Sequence, residues 1–259
     1  MLQINSNEIL NWESKKTGTL FISEQMYHRH SELFLGNYSQ TKKDIESSLN
    51  QELKNLDFKV SSKKKNNETI YLKRIGAESL KKSIKHNLRN INDIKFEVEY
   101  RDGVFYELPR KGFDFAVYDD DYNLLNFWNY CFGERSISNG EELWKKELDL
   151  RPNWKSIAKE LNLNIPTHMG INIPVEKKKP TIIGGIQFGN WGLFHSDMLN
   201  AIHIEQQTEV DLLIYITATG NLEKQLSDSI VNFKNSKQQL IKFHNIIKIP
   251  IWLIGVDIK

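Results

Sequence analysis

Cysteine is nearly missing from this chain: Cys131 stands alone among 259 residues. One thiol excludes an internal disulfide and a cysteine-built zinc site, so a reducing compartment is expected. Proline is scarce at 6 and glycine is ordinary at 14, which excludes collagen-like and low-complexity chains. No apolar run approaches a membrane span, because the longest, near the C-terminus, is interrupted by Lys248. The opening segment carries Glu8, Glu13, Lys15 and Lys16 in place of an apolar core, so no secretory leader is expected. Neither sign of charge dominates: 35 basic residues face 33 acidic ones, for a net charge of +2. What remains is a globular mix, 39% hydrophobic and 26% charged, long enough to bury a substantial core.

The near-neutral total hides an asymmetry. Residues 1–111 hold 20 basic and 15 acidic side chains, whereas 112–259 hold 15 and 18. Within the first part, Lys63, Lys64, Lys65, Lys73, Arg74, Lys81, Lys82, Lys85 and Arg89 are offset only by Glu68 and Glu78. Such a run reads as a solvated helix face behind a charged loop, or as a surface for a polyanion. Charge alone does not choose between the two.

Periodicity supplies the elements. Apolar residues at Ile45, Leu49, Leu53 and Leu56 predict a helix over 41–56, and Leu80, Ile84, Leu88 and Ile91 predict another over 77–91. The second places Lys81, Lys82, Lys85 and Arg89 along its flanks. Strands are expected at 95–100, 112–118, 181–188, 210–218 and 249–257. Helices are expected at 124–132, 141–148, 154–161, 191–204 and 222–243, the last with a break near Asn235. Strands alternating with helices imply an α/β fold, a mixed sheet with flanking helices, preceded by a helical, basic N-terminal part. The chain reads as one domain over 1–259, with the N-terminal part at 1–165 and the core at 166–259.

The chemistry concentrates in 174–200. Four glycines, Gly184, Gly185, Gly189 and Gly192, suggest a phosphate loop, but no Gly-Lys-Ser/Thr follows and the first two sit inside an apolar strand. Gln187 is the polar residue of that strand, so it needs a hydrogen-bond partner, a cleft or a function. Residues i and i+2 of a strand share a face, so positions 185 and 187 address one site.

The run Ile186-Gln187-Phe188-Gly189-Asn190-Trp191, with Asp197 downstream and Val210-Asp211-Leu212-Leu213-Ile214 beyond it, resembles the core of BglII/BstYI-like type II restriction endonucleases. The similarity continues through 222–240 and 249–255 and covers the last third well. It implies a PD-(D/E)XK core in its Glu-x-Gln variant, with Gln187 on the family's glutamine. The upstream acid, by its usual spacing, falls on Glu176. The family's glutamate falls on Gly185, which offers no side-chain oxygen. By the same resemblance, Mg²⁺ would sit between Glu176, position 185 and the backbone carbonyl of Ile186, with Asn190 and Asp197 at the site edge. Hard oxygen donors suit this ion, which supplies an activated water and charge relief to a phosphodiester.

The resemblance implies Mg²⁺-dependent, sequence-specific cleavage of double-stranded DNA by a homodimer in a prokaryotic cytoplasm, within a restriction–modification system, without membrane attachment. Gly185 implies an impaired form. Lys63, Lys64, Lys65, Lys81, Lys82, Lys85 and Arg89 are the expected DNA contacts. The alternative is a DNA-binding pseudo-nuclease, and a weaker reading is an α/β enzyme for a small phosphorylated ligand. Asp119, Asp120 and Asp121, after a strand containing Asp114, form the rival metal site. His195 reads as packing or surface, and Asp211 as a feature of the core strand.

Overall fold

The computed structural model describes residues 6–65, 68–108, 112–166, 169–207 and 210–259. Its first part contains α1 (Ser6–Glu13), β1 (Gly18–His28), α2 (Ser31–Asn37), α3 (Ser39–Leu49), β2 (Glu52–Leu53), β3 (Phe58–Lys65), β4 (Glu68–Ile75) and α4 (Ala77–Leu88). The middle runs through β5 (Lys95–Arg101), β6 (Val104–Glu107), β7 (Phe113–Val117), α5 (Asp120–Phe132), α6 (Gly140–Leu150) and α7 (Pro152–Glu160). The last third is β8 (Ile182–Gln187), α8 (Gly192–Gln207), β9 (Leu212–Ala218), α9 (Gly220–Gln225), α10 (Phe233–Lys242) and β10 (Ile251–Ile258).

Eight strands form one mixed sheet in the order β2-β1-β10-β9-β8-β7-β5-β6, and β3 pairs with β4 in a separate hairpin. Strands β8, β9 and β10 are mutually parallel, and the other pairs are antiparallel. Every residue of β9 and β10 is buried. That is why both read as continuous apolar runs rather than alternating ones. A parallel pair needs a crossover, and α8 supplies one between β8 and β9 while α9 and α10 supply the next.

Helices cover both faces of the sheet. On one, Leu80, Ile84 and Leu88 of α4 pack with Ile186, Ile214 and Trp252. On the other, Phe194, Met198 and Ala201 of α8 pack with Ile183, Leu213 and Tyr215. Each such side chain contributes about 1.5–3 kcal/mol on leaving water. A third cluster joins α5, α6 and α7 through Phe127, Trp144 and Trp154, and it encloses Cys131, whose thiol burial pushes up to about 12.

The first third is less helical than its periodicity suggests. Strand β1 joins the main sheet against β10, and the lysine-rich stretch at 58–75 is a hairpin rather than a loop. Trp12 holds that hairpin, donating its indole N–H to the carbonyls of Lys59 and Arg74 at 3.2 Å each and meeting Phe58 edge-on. Helix α3 stops at Leu49, and Leu53 belongs to β2. The break expected near Asn235 falls at 226–232, where Leu226, Ile230 and Val231 are buried without being helical. Asn232 then caps α10 by accepting from the Asn235 N–H at 2.9 Å.

Candidate active site

The pairing of β7 with β8, in which Phe115 faces Gly184, brings Asp114 across from Gly185. Asp114 is a lone acid in the otherwise apolar run Phe113-Asp114-Phe115-Ala116-Val117 and is buried. Its Oδ2 accepts the Ile186 N–H at 2.7 Å, which ties the carboxylate to the middle of β8. Its Oδ1 lies 2.6 Å from Lys81 Nζ and 2.8 Å from Lys85 Nζ, both on α4. Burial alone would make Lys85 less basic. Asp114 and Glu97, which also pairs with it, outweigh that and raise its pKa.

Glycine is required at one point here. A side chain at 184 would strike the Phe115 ring at 2.1 Å, so the strand pair closes only without one. Gly185 is different: a Cβ there would stand 3.2 Å from two ring carbons of Tyr215, tight but short of a collision. The Tyr215 ring, on β9, occupies the space above that position.

Gln187 points its amide at α8. Its Nε2 donates to Asp197 Oδ2 at 2.9 Å, while its Oε1 accepts the Gly189 N–H at 3.0 Å. Tyr215 donates its hydroxyl to the same Asp197 oxygen at 2.8 Å. Burial pushes the Asp197 carboxyl above the ordinary carboxylate value, more than the two donated hydrogen bonds lower it, and the nearby Asp114 charge adds to the rise. Burial likewise raises the Tyr215 hydroxyl. Asp114, Gly185, Gln187, Asp197, Lys81 and Tyr215 together border a cavity of about 60 Å³. It shares Lys81, Gly112 and Asp114 with a larger groove of about 660 Å³ along α4.

Glu176 is not brought to this cavity. It is exposed in the segment before β8, next to Lys177, which binds Asp211, and Lys178, whose backbone N–H binds Asp119. Those partners lie at the other end of the β7–β8 pair from Gln187. Spacing pointed to Glu176 because the family's two acids are close in sequence. Here α5, α6, α7 and a long connection separate the two strands. The acid at the cavity is instead Asp114, which spacing did not single out and whose signal was an acid inside a buried strand.

Asp119 caps α5, accepting the N–H groups of Asp121 and Tyr122 at 3.0 and 3.2 Å and that of Lys178 at 2.8 Å. Asp120 pairs with Lys95 and Asp121 with Lys178, so this acid run is a helix start held by cations. Among the described residues no group of three or more His, Cys, Asp or Glu is placed to hold a metal. The cavity is bordered by two carboxylates, Asp114 and Asp197, and by Gln187, whose Oε1 is taken by the Gly189 N–H. Two carboxylates, completed by waters, fit a small hard cation.

Asn190 is exposed and accepts the Gly192 N–H at 2.9 Å at the start of α8. His195 is exposed against Trp191 and Phe194. Asp211 accepts the Thr181 N–H at 2.7 Å and binds Lys177 at 2.8 Å. The basic residues divide. Lys81 and Lys85 are engaged with Asp114, Lys82 is exposed beside Glu78, and Arg89 lies over Phe96. Lys63 pairs with Asp228 at 2.8 Å, and Lys64 is exposed on the hairpin. Lys65 ends β3, and its side chain lies outside the described residues.

Acids, an amide and lysines converge where two neighbouring strands of an α/β sheet meet, and the sequence places the chain among restriction endonucleases. The match in sequence is specific: residues 23–256 fit the model of the family described as restriction endonuclease BglII/BglIII, and the chain belongs to that family. Among solved structures, restriction endonuclease BglII complexed with a DNA 16-mer is similar at 13% identity and a TM-score of 0.49, over 90% of this chain and 74% of that one. Free BglII is similar at 11% identity and a TM-score of 0.39, over 90% and 77%. No curated protein matches. No described helix is long and apolar enough to cross a membrane.

Proposed function

We propose that this protein is a type II restriction endonuclease that cuts double-stranded DNA at a specific site with Mg²⁺, acting as a homodimer in a prokaryotic cytoplasm. Family membership over 23–256 supports the reaction class, and the single observation that carries the site is Asp114 bound to the Ile186 N–H opposite Gly185 and Gln187. On this reading Asp114, rather than Glu176, is the upstream acid.

Bound at Asp114 and the Ile186 carbonyl, Mg²⁺ would supply charge relief on the phosphate oxygens and a more acidic water. The chain's own residues do the rest. Asp114, fixed by a backbone N–H, presents a carboxylate that does not need to reorganise. Lys81 and Lys85 neutralise it before DNA arrives, and Lys81, the more exposed of the two, can turn to an incoming phosphate. Water adds to phosphorus as the bond to one ester oxygen breaks. Gln187, held by Gly189 and Asp197, keeps the cavity wall in one rotamer. On this reading the exposed lysines Lys63, Lys64 and Lys82 would meet the DNA backbone outside the cavity. A two-fold assembly would give each strand of a symmetric site its own centre.

The test is a digest of phage DNA with Mg²⁺ and with a chelator. Discrete metal-dependent fragments support the reading. Intact DNA, together with binding whose affinity falls with salt, identifies the pseudo-nuclease that the bare Gly185 favours. Each neutralised phosphate should contribute about −0.9 to the slope of log K on log salt. A flat salt response removes the nucleic-acid reading.

A further inference from the structure

The carboxylate that position 185 lacks has a replacement across the cavity. Asp197 projects from α8 toward Gln187 and Tyr215, and both donate to its Oδ2, at 2.9 and 2.8 Å. Among the described residues its Oδ1 has no hydrogen-bond partner and the side chain has no ion pair. The residue borders the same cavity of about 60 Å³ as Asp114 and Gly185. A carboxylate fixed through one oxygen and left with the other, beside a second carboxylate, is placed as a ligand of a cation.

The room above residue 185 is tight. A Cβ there would meet Cδ2 and Cε2 of Tyr215 at 3.2 Å, and that ring carries the hydroxyl that orients Asp197. Glycine at 185, tyrosine at 215 and aspartate at 197 therefore form one arrangement. A strand glutamate is absent, an aromatic ring crowds its position, and a helix aspartate borders the same cavity from the neighbouring element.

We infer that Asp197 supplies the second metal-binding carboxylate of this site, with Asp114 as the first, in place of the strand position occupied by Gly185. This rests on the metal-dependent nuclease reading and deepens it. The impairment expected from Gly185 then does not arise. Gln187 and Tyr215 are positioning residues, acting through Asp197.

Terbium(III) bound to the full-length protein without DNA is the probe, read by its luminescence on excitation through nearby aromatic rings such as Tyr215 and Trp191. The wild-type chain should bind it, and Asp197→Asn and Asp114→Asn should each weaken binding by about tenfold or more. Asp197→Glu, which keeps the carboxylate, should retain most of the affinity, and Glu176→Gln should match wild type. Circular dichroism of each variant establishes that it is folded. Asp197→Asn binding as wild type does, while Asp114→Asn fails, overturns the role of Asp197 and leaves the nuclease reading standing. A wild-type chain that binds no terbium, or an Asp114→Asn that binds as well as wild type, overturns the metal site and this inference together.

Discussion

The β7–β8 pair carries acids at both ends, and the two ends use them differently. At one end Asp119 and Asp211 are consumed by the chain itself. Between them they accept the backbone N–H groups of Asp121, Tyr122, Lys178 and Thr181, at 2.7 to 3.2 Å. These contacts fix the start of α5 and the entry to β8. At the other end Asp114 and Asp197 lean mostly on side chains, namely Lys81, Lys85, Gln187 and Tyr215, and they share a cavity. Backbone partners cannot withdraw, whereas side-chain partners can yield to a ligand. An acid is therefore read as structural or chemical from what satisfies it, more than from its place in a run of charges.

The largest expected effect lies at the cavity end. Asp114→Asn should slow Mg²⁺-dependent cleavage by about a thousandfold or more, roughly 4 kcal/mol of transition-state stabilisation, while the protein stays folded. A rate within tenfold of wild type would erase the distinction between the two ends. Gly185→Glu should also lose ground, because its Cβ would press on the Tyr215 ring at 3.2 Å and the ring must give way slightly. Overpacking of that kind costs about 1–3 kcal/mol. Chemical denaturation should show the loss, and cleavage should not rise. A gain in cleavage would mean that the strand position, rather than Asp197, is where the second carboxylate belongs.

The structural end responds in stability alone. Asp119→Ala removes the cap of α5 and should lower unfolding free energy by about 1–2 kcal/mol, with terbium affinity unchanged. Lost metal binding without lost stability would reverse its assignment. The smallest effect belongs to Glu176, exposed near the structural end. Glu176→Gln should leave the cleavage rate within about twofold, since a solvated side chain with no contact to the cavity alters neither charge nor geometry there. A severe loss of rate would restore the acid chosen by spacing.

Legibility in the sequence followed burial. Strands β8, β9 and β10 declare themselves as continuous apolar runs, and helix α4 because its apolar residues recur at the helical period. Strand β1 did not, since Glu24 and Gln25 interrupt it on an exposed side and its support is the partner strand β10. The hairpin at 58–75 was hidden by lysines that face solvent, and Trp12, far away in sequence, holds it closed. For the site, Gly185 and Gln187 stand two apart on one strand, so local spacing brings them to the same place. Asp114 and Asp197 arrive from a neighbouring strand and from a following helix, and only the pairing of β7 with β8 and the packing of α8 unite them. Asp114 still left a trace, a carboxylate in a run too apolar to bury it without a purpose.

The most direct test of which end of β7–β8 is the chemical one is anomalous diffraction at the manganese edge from crystals soaked in Mn²⁺. A peak coordinated by Asp114 and Asp197, beside the Ile186 carbonyl and Gly185, is the expected result. A peak at Glu176 or among Asp119, Asp120 and Asp121, with none at Asp114, would contradict it.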